Sequence, residues 1–143
     1  MKPIKKQTIN FEQISGFLAS AERRLSKARK ILEIDEQSGY QAAYDAMLKA
    51  SLAFMLSLGK RPRSTIGHHK VIIEFVGEKL GHEYAGLIRN FDIMRRKRNQ
   101  AIYEPFSTIS ENEVNNAVET ARQYLKIVIE DIRRRDPQRS LGI

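Results

Sequence analysis

Residues 11–32 read Phe11-Glu-Gln-Ile-Ser-Gly-Phe-Leu-Ala-Ser-Ala-Glu-Arg-Arg-Leu-Ser-Lys-Ala-Arg-Lys-Ile-Leu32. The apolar positions Phe11, Ile14, Leu18, Ala21, Leu25, Ala28 and Leu32 step alternately by three and four. That spacing keeps one side chain per turn on a single face, so the stretch predicts a long amphipathic helix packed on neighbours. Arg23, Arg24, Lys27 and Lys30 fall off the stripe and read as a solvated outer face. Upstream lies a short basic lead, Met1 to Asn10, and Asn10 is placed to cap the helix.

Downstream, Glu36-Gln-Ser-Gly39 reads as a turn. A second helix follows with the stripe Tyr44, Met47, Leu48, Ser51, Met55 and Leu58. A second, small face (Ala42, Ala43, Ala46, Ala50, Ala53) lets another backbone approach, which predicts a central position for this helix. Tyr40 and Tyr44 share a face and read as core residues with satisfied hydroxyls. Gly59 ends the helix, Lys60 to Ser64 reads as a loop, and Ser64 or Thr65 is expected to cap a third helix carrying Ile72, Phe75, Val76 and Leu80. Gly81 or His82 marks the next break, and a fourth helix runs from about Glu83 to near Tyr103, with Pro105 as its stop. Ser110-Glu-Asn-Glu113 has the form of a capping box, and the stripe Val114, Val118, Ala121, Leu125, Val128, Ile132 predicts a fifth helix. Arg133 to Arg139 reads as a frayed basic tail.

The expected architecture is therefore all-α, an up-and-down bundle of about five helices in one domain spanning 1–143, with the bundle over about 10–132. The 143 residues suit a single core, and 41% hydrophobic with 29% charged residues is ordinary for a globular protein. Without cysteine, the chain has no disulfide, thiol nucleophile or cysteine-held zinc. No apolar run approaches the ~18 residues of a membrane span. The N-terminal lysines precede no apolar segment of a secretory signal, so a cytoplasmic location is expected. A net charge of +8 favours polyanionic partners, nucleic acid or nucleotide among them.

Chemistry concentrates on the fourth helix, in Asp92-Ile-Met-Arg-Arg-Lys-Arg-Asn-Gln-Ala-Ile-Tyr103-Glu-Pro-Phe106. Its stripe Leu87, Phe91, Met94, Arg98, Ala101 sets Arg98 where an apolar residue is expected. An arginine there is costly unless it is paired or faces a cleft or interface. There is no Gly-rich phosphate loop, G-x-S-x-G or H-E-x-x-H pattern, no cofactor is implied, and adjacent His68 and His69 point ~100° apart, poor geometry for a shared metal. What remains is a polar island of Asp92, Arg95, Arg98, Asn99 and Tyr103. Arg98 and Tyr103 are five apart, about 140° round a helix. They meet at one atom if the helix end unwinds or if two copies face each other.

The chain resembles a HEPN domain (higher eukaryotes and prokaryotes nucleotide-binding). The resemblance rests on Tyr40-Gln-Ala-Ala-Tyr44-Asp-Ala-Met47, the Leu58-Gly59 stop, His69-Lys70 and Arg98-Asn99-x-x-x-Tyr103, and spans about Phe11 to Ile132. It implies a helical bundle that forms homodimers, with the arginine motif in a cleft between subunits. Many members are metal-independent RNA-cleaving toxins with arginine, a polar residue, then histidine four to six positions on, often paired with a nucleotidyltransferase. Here Arg98 and Asn99 match and Tyr103 stands at the histidine position. A phenol titrating near pH ~10 suits proton transfer less well than imidazole. The expectation is an RNA- or nucleotide-binding protein acting with a nucleotidyltransferase in a toxin–antitoxin, stress or defence module, with Arg95, Arg96, Arg98, Asn99 and Tyr103 at the binding site. The alternatives are an endoribonuclease toxin using Arg98, Asn99 and Tyr103 catalytically, and a non-catalytic oligomerising adaptor.

Overall fold

Where side chains recur at helical spacing, helices form. The computed structural model describes residues 3–64, 68–104 and 108–135. Among them are five α-helices: α1 (Phe11–Leu32), α2 (Glu36–Ser57), α3 (His69–Leu80), α4 (Ala85–Tyr103) and α5 (Glu111–Arg135). The expected all-α bundle is what the chain forms. Asn10 caps α1, its side chain accepting from Gln13 N–H at 3.1 Å. At α5 the capping box closes from both sides: Glu113 N–H donates to Ser110 Oγ at 3.1 Å and Ser110 N–H to Glu113 Oε1 at 3.2 Å.

Helix α2 packs against all four other helices. Fourteen of its 22 residues are buried, against two of 19 on α4, so α2 is the axis of the bundle and α4 is lightly held. The alanine face lets this happen: Ala42, Ala43, Ala46, Ala50 and Ala53 are all fully buried, and both α1 and α5 lie against the helix. A chain of rings crosses the core. Tyr44 meets Phe91 at 5.6 Å and Phe91 meets Tyr124 at 5.0 Å between centroids, both edge-to-face. Ser51 Oγ donates to Met47 O at 2.8 Å, so the Tyr124 hydroxyl donates to Ser51 in turn. Tyr40, also buried, has its phenol pushed up to about 12, first by burial and then by the nearby Glu113 carboxylate.

Four sequence expectations need correction. Residues 36–39 are not a turn but the first turn of α2, because Asp35 caps it: its carboxylate accepts from Ser38 N–H at 2.9 Å and Ser38 Oγ–H at 2.6 Å. Gly39 serves close packing instead, since a Cβ there would stand 3.1 Å from Leu32 Cα. Residues 60–62 are not wholly loop. Lys60–Pro62 forms strand β2, antiparallel to β1 (Ile4–Lys6) in the N-terminal lead, with Ile4 opposite Pro62. Helix α3 begins at His69 with His68 in the capping position, not Ser64, and no side chain makes the cap bond. Arg133 to Arg135 still belong to α5, and Arg135 is tied down by Asp131, by Ser57 Oγ at 2.7 Å and by the Phe54 ring. Thr65, Pro105 and the tail beyond Arg135 lie outside the described residues.

The caps make the bundle acid-sensitive. Ser38 side-chain and backbone hydrogen bonds hold the Asp35 carboxyl below the usual range, and the Ser110 backbone bond does the same for Glu113. A carboxyl with a depressed folded pKa binds fewer protons folded than unfolded. Its stabilisation is present above the ordinary carboxyl pKa and is lost as pH falls from there through the lowered, folded pKa. The urea midpoint is therefore expected to drop between about pH 5 and about pH 3. In Glu113→Gln that drop is expected to be shallower, and an unchanged pH profile would remove Glu113 from the account.

Candidate functional site

The site forms where α4 crosses α2 and the start of α3. Arg98 reaches back onto α2: its Nε donates to Gln41 Oε1 at 3.0 Å and its Nη1 to Asn99 Oδ1 at 3.1 Å. Its guanidinium lies over the Tyr44 ring, 5.7 Å from the centroid. Gln41 in turn donates to Asp45 Oδ1 at 2.7 Å, and Asp45 pairs with Arg24 at 3.4 Å. The nearest carboxylates are thus engaged elsewhere: Asp45 by Arg24, and Asp92 by Arg95 at 2.8 Å and Arg96 at 3.4 Å.

Arg98 itself has two neutral amide oxygens and an aromatic face, and no carboxylate partner among the described residues. Its Nη2 makes no hydrogen bond among them. Neutral acceptors satisfy the fork's geometry and leave its charge uncompensated. This differs from a structural ion pair, where the charge is cancelled in place. Arg95 stands alongside, with its side chain 18% exposed, and Arg96 is 64% exposed.

Tyr103 does not join this cluster. Helix α4 continues through it, so the unwinding that would swing its phenol toward Arg98 does not occur within the helix. Its side chain is 81% exposed and has no hydrogen-bond partner among the described residues. Ile93 and Ile102, at 47% and 46%, add apolar surface on the same helix.

A histidine does join it, from another helix. His69 opens α3, and its Nδ1 lies 2.9 Å from the Tyr44 hydroxyl, with ring centroids 5.7 Å apart. Burial lowers its pKa, and the Arg98 and Arg95 charges lower it further against the opposing pull of Asp45. Burial pushes the Tyr44 phenol up, so it remains protonated. In sequence His69 reads as a poor metal ligand and as part of the family pattern, and nothing marks it as a neighbour of Arg98. The two lie in different helices, and no local spacing links them. Among the described residues no group of three His, Asp or Glu could hold a metal ion.

Lys70 and Asp92, next to His69 and Arg95, also line a groove of about 540 Å³ between α3 and α4, walled by Ile73, Gly77 and Ile88. That falls within the ~300–1,000 Å³ usual for small-molecule sites. Among the described residues no helix is long and apolar enough to cross a membrane.

Comparison with protein families gives a match to the family described as HEPN domain over residues 14–132. Neither the curated proteins nor the solved structures give a match.

Proposed function

Because the chain belongs to the HEPN domain family, we propose that it binds RNA or a nucleotide through the Arg98 cluster, as a homodimer working with a nucleotidyltransferase partner in a toxin–antitoxin, stress or defence module. The observation that carries the binding reading is the Arg98 guanidinium without a carboxylate partner among the described residues, oriented by neutral amides on a tyrosine face. An arginine fork held open in this way suits a phosphate oxygen. Arg95 and Arg96 add charge at the rim, and Asn99 fixes the fork. A second copy supplies the place for Tyr103: exposed on α4 with Ile93 and Ile102, it reaches an Arg98 cluster across a two-fold contact rather than its own.

The test is titration of a fluorescent single-stranded RNA at several salt concentrations. With Arg98 neutralising one phosphate and Arg95 and Arg96, which share Asp92, one more between them, the log–log slope is expected at about −1.4, from ~0.7 per contact. Salt-independent retention, or none, while the dimer persists would favour the oligomerising adaptor.

One observation favours the second reading, a metal-independent endoribonuclease. His69 brings an imidazole to the cluster that the α4 motif lacks. Proton transfer at the 2′-hydroxyl and at the leaving oxygen needs such a group. On this reading RNA is cut in excess EDTA, and His69→Ala stops the cutting while Tyr103→Phe leaves it. RNA that stays intact with the wild-type chain ends this reading.

A further inference from the structure

The protonation pattern of His69 is decided by its neighbour. Tyr44 is fully buried, and its hydroxyl has one hydrogen-bonding neighbour among the described residues, His69 Nδ1. No buried side-chain nitrogen or oxygen there lacks a partner. A phenol has one proton to place. If Nδ1 carried a hydrogen, that phenol proton would point at protein with no acceptor, which buried polar groups rarely tolerate. The hydroxyl therefore donates and Nδ1 accepts, which leaves the imidazole hydrogen on Nε2. His69 Nε2 makes no hydrogen bond among the described residues, and the ring is partly exposed. The charged and titratable groups acting on it are Arg98 and Arg95 from α4 and Asp45 from α2, with Tyr44 itself beneath.

Two groups with donors to spare thus stand around one tyrosine ring: the Arg98 guanidinium over its face and His69 Nε2–H past its hydroxyl. We infer that His69 Nε2–H and the Arg98 guanidinium together seat a phosphoryl oxygen, that of a nucleotide or of an RNA phosphodiester, with the imidazole acting as a neutral donor. This rests on the binding reading above and specifies its geometry. With Nδ1 occupied by Tyr44 and Nε2 carrying hydrogen, His69 offers no lone pair to abstract a proton or ligate a metal. The two uses of His69 therefore exclude each other: an imidazole held as a neutral donor to phosphate is not the base that the endoribonuclease reading needs.

The experiment has two parts, both on the full chain. Long-range ¹H–¹⁵N correlation spectra at neutral pH report the tautomer; the Nε2–H form is expected, and conversion to a mixture in Tyr44→Phe. Inorganic phosphate, uridine monophosphate and a short oligouridylate are then titrated into wild type, His69→Leu, His69→Gln and Arg98→Ala, each checked for helicity. Losing one charge-assisted hydrogen bond is expected to weaken binding by about tenfold or more in His69→Leu. His69→Gln, whose amide N–H can stand where Nε2–H stood, is expected to keep part of it. Monophosphate binding as tight as oligonucleotide binding identifies a nucleotide site; oligonucleotide binding alone identifies an RNA site. An Nδ1–H tautomer overturns the inference. So does unchanged affinity in His69→Leu when Arg98→Ala abolishes binding, a result that leaves the binding reading standing. If wild type binds none of the three probes, both fall together.

Discussion

Arg98→Ala is expected to weaken RNA or nucleotide binding by at least about 100-fold, close to 3 kcal/mol, while the bundle stays folded. The size follows from what is removed. A guanidinium that meets phosphate by one or two charge-assisted hydrogen bonds contributes ~1.5–3 kcal/mol for each. The fold is spared because Gln41, which Arg98 holds on α2, keeps its other partner: it still donates to Asp45, and Asp45 still pairs with Arg24. The loss of stability is expected to be about 1 kcal/mol, that of ordinary hydrogen bonds. Arg98→Lys separates charge from geometry. It keeps the cation but loses the planar fork on the Tyr44 ring and the simultaneous reach to Gln41 and Asn99. It is therefore expected to bind weakly, nearer the alanine variant than the wild type. Equal binding by Arg98→Lys and wild type would reduce Arg98 to one more surface charge.

The same variant addresses the second copy. If Tyr103 acts on the partner's Arg98 cluster, Arg98→Ala and Tyr103→Ala chains are each impaired alone. In a mixed dimer one of the two clefts receives an intact Arg98 and an intact Tyr103, so mixing restores part of the binding. No recovery on mixing, with dimers shown to exchange, would confine the site to one chain.

How far the sequence disclosed all this depends on distance along the chain. Helices α1 and α5 were legible because their stripes repeat every three or four residues, and because Asn10 and Ser110–Glu113 cap by contacts three residues apart. The central role of α2 followed from its alanines, whose smallness is itself the packing signal. Gly39 misled because glycine has two uses. It releases the backbone in turns, but here it removes a Cβ that would collide with Leu32. The strands Ile4–Lys6 and Lys60–Pro62 are three residues each, too short to show a period, and they exist through a pairing across more than fifty residues. The candidate site was half legible. Arg98 announced itself as a charge on an apolar stripe, and Asn99 lies beside it. Gln41, Tyr44 and His69 are brought to it by tertiary packing from two other helices. For the same reason Tyr103, adjacent by motif, stays apart in space: an unbroken helix carries it round to another side.

Phe91→Ala is expected to cost ~3–5 kcal/mol, a large share of the ~5–15 kcal/mol that holds a domain of this size. Phe91 is fully buried between Tyr44 and Tyr124 and is, with Met94, one of two buried residues on α4. The cost goes beyond a cavity. Besides Met94, helix α4 is held by partly buried attachments: Leu87, Ile88 and Ala101 against the core, Lys97 to Glu113 at 3.4 Å, and Arg98 to Gln41. An ion pair such as Lys97–Glu113 contributes ~0–1 kcal/mol, and a hydrogen bond such as Arg98–Gln41 about 1 kcal/mol. Without Phe91, α4 is expected to open before the rest of the bundle unfolds, and its amides to exchange hydrogen faster than those of α1 and α2. Because Arg98 rides on α4 and Tyr44 loses the ring behind it, binding should weaken with the opening although Phe91 touches no ligand. Tyr124→Phe, which removes one hydroxyl from the same chain of rings, is expected to cost ~1 kcal/mol and to leave binding intact. Uniform exchange across all five helices in Phe91→Ala would show that α4 is held as firmly as the rest, and that the site does not depend on this single anchor.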